Sequence, residues 1–287
     1  MKIINRSLFG RGKKMTIIEE MARKIRVDII EMLTAAKSGH PGGSLSAADI
    51  LAVLYFQQMR IDPKNPHWPD RDRFVLSKGH AAPVLYAALA ERGFFPREEL
   101  IQLRKTGHFL QGHPDMKKVP GVDMSTGSLG QGISAAAGMA LAGKMDHKEY
   151  RVYTLLGDGE IAEGLVWEAA MAAAHYQLDN LVAVLDYNGL QIDGRNEDVM
   201  NSSPIADKWR AFGWNVIEVN GHDLKQLMDA FELTKNCKGK PTMIIAKTIK
   251  GKGVSFMENQ AGWHGNTPSP EQAEIALKEL KGGMDHE

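Results

Sequence analysis

The sequence predicts an α/β protein: a mostly parallel sheet with helices on both faces. Short apolar segments rich in β-branched residues recur at 151–156, 181–186, 214–219 and 242–247. Helical patterns separate most of them, notably at 162–175 and 224–234. Strands buried on both faces read as continuous apolar runs, and their alternation with helices marks βαβ units. The chain has 287 residues, 43% of them hydrophobic, enough for one large core or two modest ones.

The basic opening, MKIINRSLFGRGKK, lacks the apolar centre of a signal peptide. Residues 1–14 are expected to form a flexible tail, with Met15 a candidate start and 15–287 a single domain. Ile18, Met21, Ile25, Ile29 and Leu33 recur at helical spacing and predict an amphipathic helix over 17–36, ending near Ser38 and Gly39. In HPGGSLSAADILAVLYF, glycines precede a second helix whose N-cap is expected at Ser44 or Ser46. A Pro-rich loop, DPKNPHWPD, then leads to a short strand, RFVLS. A small-residue helix, ISAAAGMALAG, comes before the 151–156 strand. A last helix is expected over 270–280, and the acidic GGMDHE after it reads as a natural end.

Lys plus Arg and Asp plus Glu number 35 each, so no net field draws the chain to nucleic acid or an anionic membrane. A small-molecule partner is expected instead. Cys237 is the only cysteine, which excludes an intrachain disulfide, argues against a cysteine zinc site and suits a reducing, cytoplasmic setting. No segment has about 18 uninterrupted apolar residues, as a membrane helix would require.

The run LLGDGEIAE (155–163) ends a strand on an aspartate between two glycines. In open parallel sheets, ligands sit beyond the carboxyl ends of the strands. The following helix of about 15 residues spans roughly 22 Å, and the next strand roughly 20 Å, so the chain returns to the same edge. There it reads LDYNGLQIDG, which brings Asn188 beside Asp158. The Leu190 carbonyl would join these two oxygen donors. Such a set suits Mg²⁺, which takes one or two side chains and completes its shell with waters and phosphate oxygens. Gly159 would let a backbone N–H approach a diphosphate, and the following helix would turn its positive end to the anion.

On these residues the sequence resembles the thiamine diphosphate enzymes, and specifically transketolases. GDG followed by an asparagine about 30 residues on is that superfamily's diphosphate and metal motif. The likeness extends through GHPGGSLS (39–46), LSKGHAAP (76–83), GHPD (112–115), STGSLGQG (125–132), GDGEIAEG (157–164) and WHG (263–265). It implies a thiamine diphosphate-binding fold of the diphosphate (PP) type, with thiamine diphosphate and Mg²⁺, or Ca²⁺ or Mn²⁺ in its place. Gly127, Ser128, Leu129, Gly157, Asp158, Gly159, Glu163, Asn188, His80 and His264 would contact the cofactor, and Asp158, Asn188 and Leu190 the metal. The glycines of STGSLGQG run G-x-x-G-x-G, the reverse of the dinucleotide fingerprint.

Four histidines, His40, His80, His113 and His264, lie beside glycines in these motifs. Imidazole can donate, accept or shuttle protons near neutral pH, which suits a sugar's hydroxyls and carbonyl. The resemblance gives His40 and His264 the proton transfers, sets His80 near the diphosphate and the reacting centre, and gives His113 the donor's first hydroxyl. His108, His175 and His222 match no motif and read as structural. Glu163 is either a helix first-turn acid or the family's buried glutamate near the subunit interface, with the second favoured. KTIKGKGVSF reads as an exposed turn rather than a phosphate contact, and the aromatic ring of MENQAGWHG as a shaper of its loop. Gly138 and Gly143 read as close-packing positions in their helix.

In transketolases the glutamate that activates the cofactor belongs to a second, pyrimidine-binding domain that this sequence does not contain. The resemblance therefore implies the N-terminal subunit of a split transketolase. It would join a C-terminal subunit in an α2β2 assembly and transfer a two-carbon ketol unit between sugar phosphates. Alternatives are an unusual-sugar transketolase, a deoxyxylulose phosphate synthase-like enzyme and a non-catalytic cofactor-holding subunit.

Overall fold

The structure is a computed structural model that describes residues 11–282. Five parallel strands form one sheet in the order β1-β2-β3-β5-β4: β1 (Arg73–Leu76), β2 (Val152–Gly157), β3 (Leu181–Tyr187), β4 (Asn215–Asn220) and β5 (Thr242–Lys247). The 242–247 expectation is met at both ends, and the others shift by a residue. Because every pair is parallel, all five carboxyl ends open on one edge.

Successive strand side chains point to opposite faces, and here each face finds its own core. Phe74, Tyr153, Leu155, Val182, Val184, Ile244 and Ala246 pack on one side. With them lie α1 (Arg11–Ala36), α2 (Pro41–Ser46), α3 (Ala48–Val53) and α4 (Ala82–Arg92). On the other side Val75, Val152, Leu156, Leu181, Ala183, Leu185 and Ile245 meet α5 (Gln131–Met145) and α6 (Gly164–His175). After β3, α7 (Asn196–Val199) and α8 (Ile205–Ala211) follow, and α8 adds Ile205 and Trp209 to that second core. The return from β4 to β5 runs through α9 (Leu224–Asn236) on the first face, and α10 (Pro270–Lys281) closes the same side over α1.

Local signals account for most helix ends. Gly93, at φ +95°, ends α4 in the left-handed conformation that glycine adopts without strain. Asp223 caps α9 through the Gln226 N–H, and Ser269 with Gln272 forms a capping box ahead of Pro270. Two expectations change. α1 starts at Arg11, so part of the supposed tail is helical, while residues 1–10 lie outside the described residues. α2 starts at Pro41 with His40 as its N-cap, not at Ser44 or Ser46, because proline's fixed φ suits the first helical position.

Of the two α5 glycines read as packing positions, only Gly143 is one: Tyr150 lies against it, whereas a Cβ on Gly138 would meet open space. Gly132, in the first turn of α5, is tighter still. A Cβ there would sit 2.5 Å from the Ser77 Cα. Gly132→Val is therefore expected to destabilise the chain by at least about 1–3 kcal/mol, the usual cost of overpacking. Gly138→Ala is expected to stabilise it by about 0.4–1 kcal/mol. Thermal unfolding of the two variants checks both, and equal melting temperatures would contradict the contact.

Candidate active site

The turns that leave β1, β2, β3 and β5 supply the polar groups of the carboxyl edge. After β1 the chain reads Ser77-Lys78-Gly79-His80. Gly79 lets this turn lie flat on the 126–127 backbone, since a Cβ would come within 2.8 Å of the Gly127 nitrogen. The Thr126 hydroxyl donates to the Leu76 carbonyl at 2.7 Å, joining the two loops.

His40 at the head of α2, His80 after β1 and His264 in the Ala261–His264 turn form a triangle, with ring centroids 5.2, 5.5 and 5.2 Å apart. His113 stands beside them, its ring 3.2 Å from where a Gly127 Cβ would be. The Tyr86 hydroxyl on α4 holds the His113 loop from below, against the Gln111 and His113 carbonyls. Burial, reinforced by Arg104, His113 and Lys250, pushes His40 down to about 4. Burial and Lys250 do the same to His264, also to about 4, and burial and Lys78 push His80 lower still. His113 is lowered by burial and by Arg104. At neutral pH the cluster holds uncharged imidazoles.

Beneath the rings lie two buried lysines, Lys78 of LSKGHAAP and Lys250 of KTIKGKGVSF, neither of them expected at the site from the sequence. Lys78 Nζ donates to the Gly43 carbonyl at 2.7 Å and pairs with Asp186, itself fully buried at the end of β3. Burial alone would raise the Asp186 carboxyl, but Lys78 and hydroxyl donors from Ser46 and Thr248 hold it below its ordinary value. Lys250 is only 2% exposed, which corrects the reading of KTIKGKG as an exposed turn. Its ammonium reaches the Leu190 carbonyl at 3.2 Å and His264 Nδ1 at 3.1 Å, and burial lowers it to about 8.

His222, read as structural, holds the Lys250 turn in place. Its Nε2 accepts the Ile249 N–H at 2.8 Å while its Nδ1 faces Asp49 at 2.7 Å, and Asp49 is gripped by both terminal nitrogens of Arg26. An isolated histidine carries no such signal in one dimension, because its partners are 173 and 27 positions away.

The expected convergence of Asp158 and Asn188 is present. The Gly189 N–H donates to Asp158 Oδ2 at 2.6 Å, and the Leu190 N–H to Asn188 Oδ1 at 3.1 Å. Burial and the nearby Asp186 push Asp158 up to about 6. A carboxylate, an amide oxygen and a backbone carbonyl are the hard donors a divalent cation takes. Leu190's carbonyl already draws one cation, and Gly43 leaves the approach between Lys78 and His80 free of side-chain atoms. These residues fit a metal–diphosphate group.

Glu163 is exposed in the single chain, where an interface side chain has no partner to cover it, and a second acid, Glu160, is buried within the fold. Glu160 accepts from the Ser77 hydroxyl and from the Gly130 and Gly157 N–H groups at 2.9 and 3.0 Å. The helix expected over 162–175 starts two residues later, as α6 at Gly164, after a 3₁₀ turn, Glu160–Ala162. Trp263 does shape its loop, donating to the Phe256 carbonyl at 3.0 Å. Gly127 and Ser128 line a cavity of about 310 Å³ with Met124, Ser125, Thr126, Gln131 and Gly132, while Leu129 is not part of that lining.

Residues 17–287 match the family described as transketolase, thiamine diphosphate binding domain. The chain belongs to the transketolase family. It is 50% identical over 264 residues to the 6-deoxy-6-sulfo-D-fructose transketolase subunit SqwG of Clostridium sp. (strain MSTE9), covering 92% of this chain and 96% of that protein. It is 46% identical to an apulose-4-phosphate transketolase subunit of Phocaeicola vulgatus, over 92% and 93% of the two chains. The solved transketolase of Leishmania mexicana superposes with a TM-score of 0.86 at 33% identity, over 93% of this chain and 41% of that one. The chain thus spans about two fifths of that transketolase and nearly all of the two subunit relatives. As a transketolase family member it carries a thiamine diphosphate-binding domain, and a divalent metal accompanies that cofactor.

The buried charges of this transketolase domain can be probed through stability. Lys78→Met strands Asp186 and is expected to cost about 3–5 kcal/mol, and adding Asp186→Asn should recover much of it. Denaturant unfolding of the single and double variants measures this, and equal stabilities would rule out the coupling. His264 is depressed from 6.5 to about 4, so the folded state disfavours its protonated ring. Its cost to stability grows as pH falls below about 6.5 and levels off near 4. His264→Gln should therefore gain melting temperature relative to the parent between neutral and mildly acidic pH, and a constant difference would contradict the depressed value.

Proposed function

We propose that this chain is the diphosphate-binding subunit of a split transketolase. The carrying observation is the meeting, at one sheet edge, of the Asp158, Asn188 and Leu190 oxygens with neutral imidazoles and two buried ammonium groups. The near-complete coverage of two relatives named as transketolase subunits supports the division into two chains. Thiamine diphosphate, when bound, supplies the electron sink that lets a bond next to a ketose carbonyl break and re-form on another aldehyde.

Asp158, Asn188 and the Leu190 carbonyl would hold Mg²⁺, and the Gly159 N–H, which here donates to Asp158 Oδ1 at 2.9 Å, would turn to the diphosphate. Lys250 would exchange its hold on the Leu190 carbonyl for the anion. As the donor's carbon–carbon bond breaks, a proton must leave the adjacent hydroxyl, and one must reach the acceptor's carbonyl oxygen as the new bond forms. His40 and His264, uncharged and 5.5 Å apart, can take and return that proton. His113 would hold the donor's first hydroxyl, and His80 would border the reacting centre and the diphosphate. The partner chain would bring the pyrimidine-binding domain and its glutamate, in an assembly with two copies of each subunit.

The relatives' names extend the substrate range to ketoses with an unusual or sulfonated end. An unusual-sugar transketolase is therefore the second reading, beside ordinary pentose phosphates. Among the described residues no helix is long and apolar enough to cross a membrane. A cytoplasmic enzyme of sugar phosphate metabolism is proposed.

The purified chain is expected to show no ketol transfer alone and to gain it on mixing with the partner subunit, in the presence of Mg²⁺ and thiamine diphosphate. Full activity from this chain alone would defeat the split reading. Asp158→Ala and Asn188→Ala should each abolish Mg²⁺-dependent cofactor binding in calorimetry. His113→Ala should leave binding intact and lower turnover by about 10²- to 10⁴-fold; wild-type kinetics would return it to a structural role.

A further inference from the structure

The hairpin that follows β3 ends on a side chain whose bonding is incomplete. Leu190 and Arg195 form an isolated antiparallel bridge, and the Asn196 N–H donates to the Gly189 carbonyl at 3.0 Å. The fold-back turns the Asn196 side chain to Asp158, whose ionised carboxylate it favours through a loose hydrogen-bonding contact. Yet both carboxamide atoms, Oδ1 and Nδ2, are out of solvent, and beyond that loose contact, which falls short of good hydrogen-bond geometry, neither has a partner. The neighbouring amides are engaged: Asn188 Oδ1 takes the Leu190 N–H, and Gln191 Nε2 donates to the Met200 carbonyl at 3.0 Å.

A buried amide whose bonding is this incomplete is costly, and native proteins keep one where a water, an ion or a ligand completes it. We propose that Asn196 is a further arm of the cation and diphosphate site. Its carboxamide oxygen would serve the divalent cation or a water the cation holds, and its N–H groups a diphosphate oxygen. This rests on reading the Asp158 cluster as that site. A carboxamide carries both an acceptor and donors, which suits a point where a cation and an anion lie side by side. Mg²⁺ also keeps several of its waters, so side chains that orient them shape its affinity.

The test uses the full chain, alone and with its partner subunit, and compares Asn196→Ala with the parent. The parent's own titration with thiamine diphosphate and Mg²⁺ tests the site reading separately. In the variant, affinity for the cofactor with Mg²⁺ should fall about 10- to 100-fold, the usual loss when an outer-shell partner of a metal site is removed. Mn²⁺ binding followed by electron paramagnetic resonance should weaken in parallel. The melting temperature of the cofactor-free variant should equal or exceed the parent's, because no well-formed internal hydrogen bond is lost. Parental affinity in the variant would overturn the proposal. So would a marked fall in the cofactor-free melting temperature, which would make Asn196 a structural residue with partners inside the fold.

Discussion

The buried ion pair of Lys78 and Asp186 is the interaction on which the rest of the edge depends. Asp186 is the penultimate residue of β3, and its two carboxylate oxygens receive Lys78 from the β1 turn, Ser46 from α2 and Thr248 from the β5 turn. A single carboxylate thereby gathers two turns and a helix that lie far apart in sequence. A buried charge with that many donors is tolerable, and one with fewer is not. The geometry around the histidines is thus fixed from beneath before any ligand arrives.

The sheet is largely legible in the sequence because continuous apolar runs and intervening helical periods are local signals. The 242–247 strand and the convergence of Asp158 with Asn188 follow from counting residues along βαβ units. What pattern reading misses is of two kinds. α7 and α8 are short and carry little periodicity, so nothing announces them. Lys250 and Glu160 look like surface residues because a lysine or a glutamate usually is one, and His222 reads as structural without the turn it holds. Their burial depends on partners that a one-dimensional pattern does not supply: Leu190 for Lys250, Gly130 for Glu160 and Asp49 for His222. Motif likeness points to Glu163 and gives no sign of Glu160, whose burial follows from the packing of Ser77 and Gly130 against it.

The site's charges are arranged by contrast. Two ammonium groups lie under rings that burial keeps neutral, so positive charge concentrates low in the pocket, where Asp158 and the Leu190 carbonyl stand. The imidazoles above remain uncharged. Charged and neutral groups are thus separated by depth within one edge.

The chain Arg26–Asp49–His222–Ile249 runs from α1 through α3 to the turn that carries Lys250. That turn is a loop by backbone geometry, yet its Ile249 N–H is locked by a ring that is itself locked by a buried ion pair. Loops that handle ligands usually open at little free-energy cost, whereas elements tied to the core exchange their amide hydrogens only when the core itself opens. Ile249 belongs with the second class. Exchange of the Ile249 amide hydrogen, at this point of the sheet edge, is therefore tied to the opening of α1 and α3, although the side chain of its neighbour Lys250 moves independently.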